Sequence, residues 1–240
     1  MSIRKHIPNT ITSMNLLCGA VGVIFTLNGW LELAFIMMLA AAVCDFCDGL
    51  AARLLKAYSD IGKELDSLAD DISFGLLPAM MLYKLSNSDI EVVNYIPLVL
   101  AAFSALRLAK FNLDERQHES FIGLPTPAAA MICGSLACYV SVTPHSFLAQ
   151  WCNGPVFIPV LAIVLSLLLV SEIPMFSMKF GTGKETPVAE HAKRIVFLVA
   201  FVAAAVIAAV LRLHWSLIFL VGFVAYVLVN ICFSLAAGRK

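Results

Sequence analysis

Charge is what this 240-residue chain has least of: Asp, Glu, Lys and Arg supply 13% of its positions, while hydrophobic residues supply 61%. Soluble domains carry about 25% charged residues, so a water-facing surface wrapped around one globular core is excluded. No polar stretch is long enough to form a separate soluble domain. Internal repeats and low-complexity tracts are missing too, which removes support for an inverted-repeat transporter architecture. Neither sign of charge is in surplus, since 16 basic and 16 acidic residues cancel; net charge therefore says little about partners, and no nucleic-acid partner is expected. A cleavable leader is not expected either, because Arg4 and Lys5 pass through Pro8-Asn9 into a full-length apolar segment without an A-x-A-like end.

Present instead are apolar runs of the length needed to cross a bilayer, about 20 residues. Eight can be read, at 10–29, 31–55, 66–85, 93–111, 124–143, 155–172, 194–212 and 214–236. Between them stand Asn28-Gly29, Ser86 to Asp89, Asp114 to Ser120, Asn153-Gly154-Pro155 and Gly181 to Glu190, all polar, Gly or Pro punctuation. The expected fold is all-α: a polytopic membrane helical bundle, one integral-membrane domain over residues 1–240. Six helices form its core, about residues 7–175, and an additional C-terminal pair covers about 193–237. Seven scattered cysteines read as small buried hydrophobes rather than a disulfide framework. Cys44 and Cys47 interleave with Asp45 and Asp48 on one helix, which argues against a redox or zinc role. His6, His118, His145, His191 and His214 fall near span ends and read as interfacial, and Trp30, Trp151 and Trp215 suit an aromatic belt.

Basic residues set the expected orientation. With a cytoplasmic N-terminus, one side collects Arg4, Lys5, Arg53, Lys56, Lys63, Arg107, Lys110, Arg116, Lys179, Lys184, Lys193, Arg194, Arg239 and Lys240, leaving Lys84 and Arg212 opposite. That side also receives the densest group of acids in the chain.

Those acids lie in C44-D-F-C-D-G-L-A-A-R53 and G62-K-E-L-D-S-L-A-D70, which carry D-x-x-D-G-x-x-A-R and then G-x-x-x-D-x-x-x-D. An uncompensated Asp near the middle of a spanning helix costs roughly 2.5–3.5 kcal/mol, so four would cost on the order of 10 kcal/mol. Asp45 and Asp48 are three apart and Asp66 and Asp70 four apart, so each pair occupies one stripe of its own helix. Two helices can thus aim four carboxylates into one gap. Hard divalent cations favour such oxygens, and Mg²⁺ commonly completes its shell with water and substrate phosphate. Gly49 and Ala52 remove bulk where a ligand approaches the backbone, and Arg53 offers a forked cation to phosphate. A structural ion-pair network with Arg53 or Arg107 is the plainer reading, but four aspartates need more partners than these helices supply. Asp60, Glu64 and Asp71 read as ordinary interfacial carboxylates.

The four-aspartate pattern with its Gly, Ala and Arg resembles the signature of the CDP-alcohol phosphatidyltransferases. Further segments, I7-P-N-T-I-T-S-M-N-L-L-C-G19, D66-S-L-A-D-D-I-S-F-G-L-L-P-A79, R107-L-A-K-F-N112 and F121-I-G-L-P-T-P-A-A-A130, are similar to the phosphatidylserine synthase branch of that family. Asp71 departs from the pattern, which has an apolar residue just after the fourth aspartate. The resemblance implies a metal-dependent transfer of the phosphatidyl group from CDP-diacylglycerol to L-serine, giving phosphatidylserine and CMP. It implies a bacterial inner-membrane enzyme, set among membrane lipid as a homodimer, with its site facing the cytoplasm. Asp45, Asp48, Asp66 and Asp70 would hold two divalent ions, Mg²⁺ or Mn²⁺, and Asp70 would also be the general base. Asn9, Thr12, Gly49, Ala52, Arg53 and Ser59 would border the nucleotide and phosphates. Arg107 and Lys110 could receive the acceptor carboxylate, or serve only as positive-inside anchors. Glycerol 3-phosphate or inositol phosphate as acceptor, and more remotely a cation-coupled transporter, remain open alternatives.

Overall fold

The computed structural model describes residues 6–113, 121–175 and 188–237, with side chains described at 6–113, 122–175 and 195–234. Arg4, Lys5, Arg116, His118, Lys179, Lys184, Arg239 and Lys240 lie outside the described residues, as do positions 114–120 and 181–187 of the expected punctuation and the side chains of His191, Lys193 and Arg194.

The chain is a bundle of helices: α1 (His6–Leu27), α2 (Leu31–Leu54), α3 (Asp60–Asp70), α4 (Leu77–Leu85), α5 (Glu91–Asn94), α6 (Val99–Leu113), α7 (Thr126–Val142), α8 (Phe147–Cys152), α9 (Phe157–Val170), α10 (Val188–Val210) and α11 (Ser216–Ala237). A π-helical turn, Asp71–Leu76, joins α3 to α4 without a break. Among the described residues, four stretches are long and apolar enough to cross a membrane, at His6–Leu27, Leu31–Leu54, Glu91–Leu113 and Ser216–Ser234, and shorter apolar helices stand beside them. Large apolar side chains such as Leu17, Phe46, Leu54, Val160, Leu198 and Leu228 point outward, an arrangement stable only against lipid. The chain is an integral membrane protein.

Several boundaries differ from the sequence expectation. α1 is already helical at His6, the first described residue, ahead of the expected start at residue 10. Asn9 and Thr12 are therefore helical. The third helix starts at Asp60 rather than 66, since Ser59 caps it: its Oγ accepts the Gly62 amide at 3.0 Å. The segment expected as one helix over 93–111 is α5, a 3₁₀ turn at Ile96–Leu98 around Pro97, and then α6. One element was not expected in an all-α chain: Phe121–Ile122 (β1) pairs antiparallel with Pro174–Met175 (β2). Gly123 follows at φ 79°, and a Cβ there would lie 2.5 Å from the Leu169 carbonyl oxygen, so the pair closes only around glycine.

α7 is the centre of the bundle, buried from Ala128 to Val140 and packed by α2, α4 and α11. Phe35 of α2, fully buried, stacks on Trp215 at 5.4 Å and meets Phe219 edge-on at 5.7 Å, which fastens α11 to the N-terminal helices. α1 lies along α2 and against the π-helical turn. That approach depends on Gly19, where a Cβ would fall on the side chain and backbone of Ser73. Replacing it should act through overpacking. Gly19→Val is expected to destabilise the detergent-solubilised protein by about 1–3 kcal/mol, read as a lower apparent Tm; an unchanged Tm would mean that the α1 contact is not needed for the bundle.

Candidate metal and phosphate site

Near the C-terminal end of α2, Asp45 and Asp48 face the second turn of α3, where Asp66 stands. One carboxylate oxygen from each of the three lies within 4.8 Å of the others. Asp48 is 5% exposed, and its Oδ2 has no hydrogen-bond partner. Like charges this close in a partly dehydrated setting repel strongly, so the trio suits a bound cation. All-oxygen donors fit a hard divalent ion.

Asp70 is not one of that trio, although it lies near enough to feel the charges of Asp45, Asp66 and Asp48. Its Oδ1 accepts a hydrogen bond from Asn15 Nδ2 at 3.1 Å. Asn15 is fully buried on α1, and its backbone carbonyl accepts from Ser73 Oγ at 3.0 Å. The fourth aspartate is thus held by α1, with an edge left over for another partner.

Beside the trio opens a cavity of about 270 Å³. α1 contributes Asn9 and Thr12; α2 contributes Asp48, Gly49, Ala52 and Arg53; the α2–α3 turn contributes Ser59. The six residues expected around a nucleotide and its phosphates therefore share one wall system. A Cβ at Gly49 would meet nothing closer than Arg53 Nη2 at 3.9 Å, so glycine keeps cavity space open there instead of relieving protein packing. At Gly62 the reverse holds: a Cβ would lie 2.9 Å from both Asn9 Oδ1 and Ser59 Oγ, and its absence lets α3 close on α1.

Tyr58, which the sequence reading did not single out, also lines the cavity, as do Gly62, read there only as a motif glycine, and Lys63, read only as a flanking charge. Lys63 gives the pocket a second cation beside Arg53, and its Nζ donates to the Asn112 carbonyl at 3.2 Å. Asn112 Nδ2 in turn donates to Ser67 Oγ at 2.8 Å, tying the end of α6 to α3. Asn15 was overlooked as well. Its signal was available, since Asn9, Thr12 and Asn15 recur every third residue and so mark a polar stripe on an otherwise apolar helix.

Arg107 and Lys110 do not line the cavity. Arg107 is 7% exposed on α6 and donates from Nη1 to Thr126 Oγ1 at 3.2 Å. Its guanidinium stands 5.9 Å from the Phe111 ring centroid and within electrostatic reach of Asp70 and Tyr226. Lys110, one turn further along, is half-buried.

Comparison with known proteins now adds to this geometry. Residues 5–167 match the family model described as CDP-alcohol phosphatidyltransferase. The chain is 34% identical over 220 residues to a Mycobacterium leprae protein named CDP-diacylglycerol–serine O-phosphatidyltransferase, covering 88% of this chain and 70% of that one. Proteins of the same name from Bacillus subtilis and Methanocaldococcus jannaschii are each 32% identical, over 70% and 72% of this chain and 89% and 75% of their own lengths. With that match laid over a carboxylate trio and its adjoining cavity, the chain belongs to the CDP-alcohol phosphatidyltransferase family.

Proposed function

We propose that this protein transfers the phosphatidyl group of CDP-diacylglycerol to the hydroxyl of L-serine, forming phosphatidylserine and CMP with the help of divalent metal. The observation that carries the reading is the carboxylate trio opening onto a cavity that also holds Arg53 and Lys63. Acids for metal and cations for phosphate stand side by side there, the complement of a diphosphate. The serine part is supported by the names of the relatives and by the R107-L-A-K-F-N112 segment.

In the proposed step the serine oxygen attacks the lipid-bearing phosphorus. A new P–O bond forms as the bond from that phosphorus to the bridging oxygen breaks, and CMP departs with the electron pair. No atom changes oxidation state and no covalent enzyme intermediate is required. Asp70 accepts the hydroxyl proton as attack develops, since an alcohol is a poor nucleophile without a positioned base. Asn15 orients that carboxylate through its 3.1 Å hydrogen bond. Asp45, Asp48 and Asp66, joined by the free edge of Asp70, would hold two ions, Mg²⁺ or Mn²⁺, which when bound stabilise charge on the phosphoryl oxygens and the leaving CMP. Arg53 and Ser59 hold the diphosphate, Asn9, Thr12, Gly49 and Ala52 shape the nucleotide wall, and Arg107 with Lys110 draws in the serine carboxylate. In this reading eight helices cross a bacterial inner membrane, residues 7–175 form the catalytic core, and the site opens to the cytoplasm.

Purified protein given CDP-diacylglycerol and Mg²⁺ or Mn²⁺ is expected to release CMP and form phosphatidylserine with serine, and to stop when EDTA is added. Product with glycerol 3-phosphate or inositol phosphate but none with serine would overturn the acceptor assignment and leave the family untouched. The aspartates should divide by role. Asp45→Asn or Asp66→Asn is expected to raise the metal concentration for half-maximal activity by about tenfold or more. Asp70→Asn should instead lower kcat by about 10²–10⁴-fold with a smaller change in the KM for CDP-diacylglycerol; near-normal kcat at saturating substrates would remove its role as base. For orientation, cysteines are placed at the two ends of the α3–α4 helix in a background lacking the seven native ones. Lys56→Cys is expected to react with impermeant thiol reagents from the cytoplasmic side alone and Asn87→Cys from the opposite side alone. Labelling of both from one side would refute the crossing.

A further inference from the structure

The step proposed above gives Arg53 to the diphosphate and assigns no part to Lys63, the other cation on the cavity wall. Lys63 belongs to the first turn of α3, and its exposed side chain is tethered. Its Nζ donates to the Asn112 carbonyl at 3.2 Å, Asn112 Nδ2 donates to Ser67 Oγ at 2.8 Å, and Ser67 Oγ donates to the Lys63 carbonyl at 3.3 Å. Three residues thereby close a ring between α3 and the end of α6. Asn112 is in the last turn of α6, where carbonyls lack partners within their own helix and a lysine is a favourable cap. An ammonium offers three N–H donors. Among the described residues the Asn112 carbonyl takes one of them, so two are left for a ligand in the cavity.

The place of Lys63 on its helix decides which part of the ligand it meets. Lys63, Asp66 and Asp70 stand at i, i+3 and i+7 and so share one stripe of α3. At a rise of 1.5 Å per residue, Asp66 lies about 4.5 Å and Asp70 about 10.5 Å further along the axis. Exposure falls in the same direction, from exposed Lys63 to half-buried Asp66 and Asp70. With Asp70 taking the acceptor's proton, the hydroxyl reaches phosphorus from the inner end of that stripe. Attacking and leaving oxygens lie roughly in line across the phosphorus, so the leaving phosphate emerges toward Asp66 and Lys63.

We propose that Lys63 binds the phosphate that departs with CMP, and that Asn112 is its positioning residue, fixing through Ser67 the end of α6 whose carbonyl holds the lysine. The proposal rests on the transferase reading above and is independent of which alcohol accepts the phosphatidyl group. As the bond to the bridging oxygen breaks, negative charge grows on the CMP phosphate. Donors already in place beside it stabilise that charge more in the transition state than in the bound substrate. Lys63 keeps its proton throughout.

The test measures CMP binding to the purified protein in Mg²⁺ by calorimetry, together with steady-state kinetics. It compares wild type, Lys63→Met, Lys63→Arg, Asn112→Ala and the double variant Lys63→Met/Asn112→Ala. Lys63→Met is expected to raise the Kd for CMP by about tenfold or more and to lower kcat by a similar factor. Lys63→Arg keeps the charge and should stay within about threefold of wild type. Asn112→Ala should raise the Kd by about threefold alone and add nothing in the Lys63→Met background. In every variant the KM for the acceptor should stay within about twofold. A CMP Kd within twofold of wild type in Lys63→Met would overturn the proposal. So would an equal rise in CMP Kd and acceptor KM, the mark of a merely structural role, and full additivity of the two substitutions would overturn the role of Asn112. Wild-type protein that releases no CMP from CDP-diacylglycerol with any acceptor removes the transferase reading and this proposal together, whereas turnover and CMP binding indifferent to Lys63 remove this proposal alone.

Discussion

Everything around the site answers to the repulsion among carboxylates gathered between α2 and α3. Holding Asp45, Asp48 and Asp66 within 4.8 Å opposes folding, and the rest of the bundle must offset that. α7 does so by burying an almost unbroken apolar surface at the centre, and the Phe35–Trp215 stack adds a lock between distant parts of the chain. Stability lies in the bundle core; the rim of α1, α2 and α3 is left free to carry unfavourable charge. The bundle core thus supports an arrangement of carboxylates that suits a cation.

How the strands of polar interaction are laid out follows from this division. α1 is mostly apolar, but its Asn9–Thr12–Asn15 stripe turns inward and supplies amides and a hydroxyl along the aspartate gap. The stripe supplies uncharged donors where another cation or carboxylate would upset the balance. Cations stand one layer further out: Arg53 and Lys63 are both exposed and both reach the cavity wall. Charges of opposite sign are thereby ordered from the buried trio to the open mouth, which favours a ligand that is itself anionic and arrives with metal.

Much of this arrangement could be read before any coordinates, because the signals were periodic or chemically costly. Apolar runs separated by Asn-Gly and Asn-Gly-Pro located the helices to within a few residues, and the i, i+3 and i, i+4 spacing of aspartates announced two facing stripes. Other features had no such signature. The early start of α3 depends on one hydroxyl, Ser59, whose cap outweighs a polar first turn that looks unlike a span. The break at Pro97 and the two-residue pairing of Phe121–Ile122 with Pro174–Met175 are decided by tertiary closure. Asp70's separation from the trio depends on a hydrogen bond to a helix 55 residues away in sequence, and spacing within one helix carries no information about that. The proximity of Asp71 to Ser104 on α6 is likewise brought about by the fold.

The π-helical turn at Asp71–Leu76 has a consequence for how this segment can vary. A wide turn holds one residue more than the α-helical path it replaces. It lets α3 aim Asp66 and Asp70 toward Asp45 and Asp48 while α4 presents Leu77, Met81 and Leu82 to the bundle interior. Deleting one residue is absorbed by relaxation of the turn to α geometry, whereas inserting one more into the already widened turn would swing one half against the other by about 100°. Either the acids or the apolar anchors would then face the wrong way. Point substitutions there exchange contacts one at a time, but an insertion strikes aim and anchorage together, which makes added length through this turn less tolerable than a change in the identity of most residues within it.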